Sequence, residues 1–154
     1  MALICDTGGV FGLYDADDAH HVLIKSVVEE EPGPLLLPVV LLAEIDYLLS
    51  TRLGQDAALD FLDSVEHGAY LLVPMLADDL SRCLQLIKQY RDLQLGIADA
   101  SVAAAAERLG IARLLTLDER HFRAIKPRGL SHFVLLPQDA DLPKRGRTKG
   151  RKSR

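Results

Sequence analysis

Five short apolar runs, separated by longer stretches of helical period, govern what this chain can become. Residues 2–5 (ALIC), 35–37, 70–73, 113–117 and 132–136 are too short for stable helices and read as strands. Residues 18–31 place Val22, Leu23, Val27 and Val28 at helical spacing, and Pro32-Gly33-Pro34 stops them. A further helix starts at Pro38, a residue suited to a first turn, and ends at Gly54. Helices over 57–66, 76–90, 97–109 and 119–125 complete the pattern, with Gly110 closing the fourth of the longer ones. Such alternation predicts the α/β class: one domain with a mostly parallel central sheet of about five strands and helices on both faces. Sheets of this kind gather ligands beyond the carboxyl ends of their strands, where the strand order reverses.

At 154 residues, with 49% hydrophobic and 26% charged residues, the composition excludes collagen, wholesale disorder and a disulfide scaffold. A chain of this length needs no metal merely to fold, so a metal here would serve chemistry. Cys5 and Cys83 lie in apolar segments without metal-ligand spacing and read as small buried hydrophobes of a reduced protein. The amino terminus lacks the features of a secretion signal. The longest apolar run, residues 35–43, falls well short of the ~18 residues that argue for a membrane span. A cytoplasmic protein with no membrane partner is expected.

The net charge of −4 hides an asymmetry. Residues 144–154 hold seven of the 18 Lys and Arg and no acid, which leaves the body at −11. The expected organisation is a domain over 1–137 and a basic, disordered tail over 138–154. An acidic body suggests a cation site, and Lys144, Arg145, Arg147, Lys149, Arg151 and Lys152 are candidate contacts for a polyanionic partner. A tail without a role is the plainer alternative.

Four acids stand where apolar or capping residues are the norm. Asp6 follows the first strand directly, ahead of an expected Gly8-Gly9 turn, and Asp118 follows LLTL in the same way. Glu44 has Val40, Leu41, Tyr47 and Leu48 at helical spacing, so its carboxylate projects from an apolar stripe, whereas Asp46 reads as a solvated acid. Asp99 lies in the first turn of its helix among Leu95, Gly96, Val102 and Ala103. Each has a modest alternative, a helix cap for Asp6 and Asp99 or a buried ion pair for Glu44. Four together are harder to explain, because two carboxylates at about 4 Å repel by about 4 kcal/mol even at an effective dielectric of 20. Hard oxygen ligands without a His or Cys cluster point to Mg²⁺, or Mn²⁺, as the relieving cation. The adjacent His20 and His21 diverge on a helix and read as structural or edge residues and not as ligands. His67, His121 and His132 have no nucleophile or Cys to pair with, and Tyr14, Tyr47, Tyr70 and Tyr90 read as core.

The segments DTGGVFGLYDADDAHH, LPVVLLAEIDYLL, DLQLGIADASVAAAAERLG and LLTLDERHF together resemble the PIN-domain nucleases, and most closely the VapC-type toxins of bacterial VapBC toxin–antitoxin pairs. The resemblance runs from about residue 2 to 136. It implies that Asp6, Glu44, Asp99 and Asp118 form the family's acidic quartet, with Thr7 and Thr116 as flanking hydroxyls. It further implies a magnesium-dependent endoribonuclease acting on tRNA or rRNA, a homodimer, and a cognate antitoxin as silencing partner. Asp6 and Asp99 are the preferred direct metal ligands, and Glu44 and Asp118 complete the site through a second metal or bound waters. Thr7 and Thr116 would orient those waters, with helix capping an equal alternative for Thr7. Gly8-Gly9 departs from the family's usual Ser and apolar residue at these positions.

Three other readings stay open. A phosphatase of the haloacid dehalogenase type needs a second Asp two residues after Asp6, where this chain has Gly8. An RNA-maturation nuclease without an antitoxin and a degenerate binding module complete the set.

Overall fold

A computed structural model describes residues 1–140, and the six basic tail candidates from Lys144 to Lys152 lie outside the described residues. The strands are β1 (Leu3–Cys5), β2 (Leu35–Pro38), β3 (Leu71–Val73), β4 (Arg113–Leu115) and β5 (Val134–Leu136). The helices are α1 (Thr7–Tyr14), α2 (His21–Glu30), α3 (Leu42–Arg52), α4 (Gln55–Glu66), α5 (Ala77–Gln89), α6 (Ile97–Leu109) and α7 (Glu119–Ala124). Every pairing is parallel and the strand order is β3-β2-β1-β4-β5. The chain winds outward from β1 through β2 to β3, then returns to the other side of β1 for β4 and β5. The strand order therefore reverses between β1 and β4, where Ile4 pairs with Leu114 and Cys5 with Leu115. The carboxyl ends of these two strands deliver Asp6 and Asp118 to one crevice.

β1 is fully buried because both of its faces are covered, as its continuous LIC run requires. α6 crosses this centre, and Ala100 through Ala106 are all buried. Its small side chains let the backbone approach the sheet closely, and Gly110 ends it in the left-handed region at φ 66°. Two partly buried ion pairs fasten α6 to α5: Arg82 binds Glu107 with two hydrogen bonds, and Arg108 binds Asp79. Asp79 also accepts from the Leu76 backbone and so caps its own helix. The described chain continues past β5 to Asp139, which accepts from Leu135 N and pairs with Arg123.

Three expectations need correction. No turn forms at Gly8-Gly9; both residues lie in the opening turn of α1. The glycines are there for proximity, since a Cβ on Gly9 would lie 2.8 Å from Leu115 Cγ and collide with the Leu115 carbonyl. Glu44 is exposed and Asp46 half-buried, the reverse of the stripe reading. The buried face here runs through Leu41, Ile45 and Leu49 at helical spacing, and Glu44 falls beside it. Tyr47 is also exposed, whereas Tyr14, Phe61 and Tyr70 pack edge-to-face. Cys5 and Cys83 are buried free thiols. Among the described residues, no helix is long and apolar enough to cross a membrane.

Candidate active site

Asp6 ends β1 and begins α1, with its own N–H bonded to the Leu115 carbonyl at 2.9 Å. Its carboxylate is 95% buried and accepts two hydrogen bonds, from Thr7 N at 2.8 Å and Thr116 Oγ1 at 2.7 Å. Burial pushes its carboxyl up to about 7, the charges of Asp99 and Asp118 push the same way, and the Thr116 bond resists. The cap and the cluster position are thus one residue.

Thr116, fully buried just after β4, ties two of the acids together. Its hydroxyl donates to Asp6 and accepts from the Asp118 N–H at 3.0 Å. With its single hydrogen directed at Asp6, it positions carboxylates rather than waters. Thr7 is the opposite case. Its buried hydroxyl has no partner among the described residues and it lines the crevice, so the capping reading fails.

Asp118 caps α7, accepting from His121 N at 3.0 Å. Its other oxygen lies 2.7 Å from His121 Nδ1, which also lies 2.9 Å from Asp99 Oδ2. The far ring nitrogen, Nε2, lies 2.8 Å from the Leu93 carbonyl. Oxygens that can only accept thus face both ring nitrogens, and the doubly protonated imidazolium satisfies them all. Partial burial opposes that charge, but the Leu93 carbonyl and the Asp118 and Asp99 carboxylates outweigh it and hold His121 above its ordinary value. Asp99, in the first turn of α6, is raised by burial and then by Asp118, with His121 opposing. His121 is the site residue that sequence reasoning missed. The one signal available was its place three residues after Asp118, on the same side of a helix start.

Asp6, Thr7, Gly8, Glu44, Asp99 and Asp118 line one open cavity of about 550 Å³. Phe11, Leu48, Arg52 and Leu117 form its remaining walls. All four predicted acids are brought together with Thr7, and Thr116 stands behind them. His21 is structural, its Nδ1 bonding the Gly12 carbonyl of α1 at 2.9 Å, while His20 pairs with Asp18 at the surface.

The donor set suits a divalent cation. Asp99 and Asp118 each offer a carboxylate oxygen, within 4.8 Å of one another, and His121 braces both from the side. Burial and the neighbouring Asp99 and Asp118 charges disfavour the Asp6 carboxylate, a penalty that a cation would relieve, and the unpaired Thr7 hydroxyl lines the same cavity. An oxygen-rich cluster of this kind favours a hard metal ion over zinc.

Comparison with known proteins places this geometry in a family. The model of the PIN domain matches residues 3–126. Ribonuclease VapC26 of Mycobacterium tuberculosis is 33% identical over 135 residues, covering 88% of this chain and 100% of that protein. Two crystal structures share the fold. VapC20 of Mycobacterium tuberculosis, a sarcin–ricin loop cleaving toxin, superposes with TM-score 0.71 at 21% identity, covering 77% of this chain and 92% of its own. VapBC2 of Rickettsia felis, bound to a fragment of its promoter DNA, gives 0.62 at 14% identity, covering 88% and 97%. The family model spans β1 to the end of α7 and takes in all four acids, and by that match and the VapC26 identity the chain belongs to the PIN domain family of nucleases.

Proposed function

We propose that this chain is a magnesium-dependent endoribonuclease toxin of a type II toxin–antitoxin pair, acting on tRNA or rRNA in the cytoplasm. The observation that carries this reading is the meeting of Asp6, Glu44, Asp99 and Asp118 around one open cavity at the point where strand order reverses. The full-length similarity to a VapC ribonuclease supports the substrate class, and the VapBC fold relative supports an antitoxin partner. A homodimer is part of the same reading.

Asp6 and Asp99 would hold the Mg²⁺, or Mn²⁺, with Asp118 and Glu44 completing the site. The chemistry such an ion supplies is activation of water toward phosphorus and neutralisation of charge on the leaving oxygen. The chain's own residues do the rest. Thr116 fixes the Asp6 carboxylate and the Asp118 backbone, while His121 fixes the Asp99 and Asp118 carboxylates. Such supports keep carboxylates in one rotamer and so preserve the geometry of attack. Glu44 is exposed, lines the cavity and makes no ion pair among the described residues, which supports a role toward the attacking water. The Thr7 hydroxyl orients that water. Residues Lys144, Arg145, Arg147, Lys149, Arg151 and Lys152 would add phosphate contacts that carry no sequence information.

Sequencing RNA ends after induced expression tests the reading, with Glu44→Gln as control. New 5′ ends at defined positions in tRNA or rRNA are expected from the unmodified chain alone. Equal RNA ends in both cultures would overturn the proposal.

A further inference from the structure

The cavity has a floor of carboxylates and, on one side, a wall of different character. Arg52, in the last turn of α3, stands two helical turns from Glu44 and lines the same cavity. Its Cζ lies over the Phe11 ring at 5.6 Å from the centroid. Phe11 belongs to α1, the helix that Asp6 caps, so one short element sets both an acid of the floor and the seat of the cation. Among the described residues, Arg52 has no carboxylate within ion-pair distance, although four carboxylates line the same cavity. It is also the one basic side chain of that lining.

This arrangement is informative because it leaves the guanidinium uncommitted. Its charge is held over the ring by a cation–π contact. Its N–H donors make no side-chain ion pair among the described residues and remain available to a ligand. If Arg52 served only to neutralise the acids, it would pair with Glu44 or Asp99 and not sit over an aromatic ring. A strand of RNA meets a local difficulty here, since its phosphates approach a pocket of like charge. A fixed cation at the rim reduces that repulsion where the strand enters.

We propose that Arg52, seated on Phe11, binds a backbone phosphate of the RNA adjoining the one that is cleaved. The proposal rests on the ribonuclease reading above and adds a strand-positioning contact to the same site. Arg52 would act on substrate binding and leave the chemical step to the acids. Phe11 is a positioning residue, holding the guanidinium at the cavity wall.

The test is steady-state cleavage of total bacterial RNA, followed at the cut that the unmodified protein makes, across a salt series. Arg52→Gln removes the charge and leaves a shorter polar side chain. It should raise KM about five- to tenfold at roughly 50 mM salt, with kcat within about twofold. The slope of log KM against log salt should fall by about 0.7–0.9, the signature of one lost phosphate contact. Arg52→Lys should restore the slope and only part of the KM. Phe11→Leu should raise KM about two- to threefold alone and add nothing to Arg52→Gln, because its effect runs through the guanidinium. Melting temperatures serve as the folding control.

An unchanged KM and salt slope in a folded Arg52→Gln variant would overturn the proposal, and so would a fall in kcat with KM intact. Additive effects of the two substitutions would remove Phe11 from it. If the unmodified protein makes no cut in any RNA, the ribonuclease reading itself fails and takes this contact with it.

Discussion

The Nδ1 of His121 lies 2.9 Å from Oδ2 of Asp99, although one residue stands on α7 and the other on α6. The same nitrogen serves Asp118, and the Leu93 carbonyl fixes the opposite edge of the ring. His121 therefore sets the spacing of two acids that belong to different elements. His121→Gln should lower RNA cleavage by about 10–100-fold, as loss of an outer partner of a metal site commonly does. KM for RNA should change little. Cleavage rate measured against divalent-ion concentration checks this, and a wild-type rate would remove His121 from the site.

The titration of the cluster gives a second expectation, for protein freed of metal with a chelator. Asp6 titrates near 7 in the fold against about 3.9 in an unfolded chain, so between those values the folded state binds more protons. Stability must therefore fall as pH rises from about 4 to about 7. His121 acts in the same direction. Its raised value stabilises the fold fully below about 6.5, and that contribution disappears as pH climbs through the folded value. Thermal melting in chelator should show a lower Tm at pH 8 than at pH 5.5. Asp6→Asn should flatten much of that slope and raise Tm at pH 8, whereas a rising Tm across the range would contradict the assignment.

α3 carries its own control. Glu44 reaches the cavity and Asp46 does not. Glu44→Gln should reduce cleavage by at least about 100-fold, the scale of a lost acid–base group. Being exposed, it should leave stability within about 0.5 kcal/mol. Asp46→Asn should leave the cleavage rate near that of the unmodified protein. Parallel single-turnover assays decide between them, and equal losses would mean that the helix face has been misassigned.

The positions of Asp6 and Asp118 are legible in the chain because each directly follows a short apolar strand, and parallel sheets bring such ends together. The support given to them is not legible. His121 depends on a carbonyl at Leu93 and on a carboxylate from α6, contacts that no local pattern encodes. The outward turn of Glu44 was hidden because Tyr47, apolar in sequence, is exposed, while the buried face runs through Leu41, Ile45 and Leu49. α1 was missed for a third reason. Its TGG opening has poor helix propensity, and what selects it is tertiary packing against β4.

That last point makes the two adjacent glycines of α1 a direct test of why the helix exists. A Cβ on Gly8 would meet nothing closer than Leu117 Cβ at 3.8 Å, an ordinary contact. A Cβ on Gly9 would press into the Leu115 backbone and lie 2.8 Å from Leu115 Cγ. The carbonyl it would strike is the one that accepts from Asp6 N, so the intrusion works against the link between β1 and β4. Gly8→Ala should be neutral or stabilise by up to about 1 kcal/mol, because alanine loses less backbone entropy in a helix. Gly9→Ala should destabilise by about 1–3 kcal/mol through overpacking. Urea unfolding midpoints of the two variants, compared at equal m-values, separate these outcomes. Similar midpoints would mean that the glycines serve a turn, as the sequence alone suggests, and not the close approach of α1 to β4.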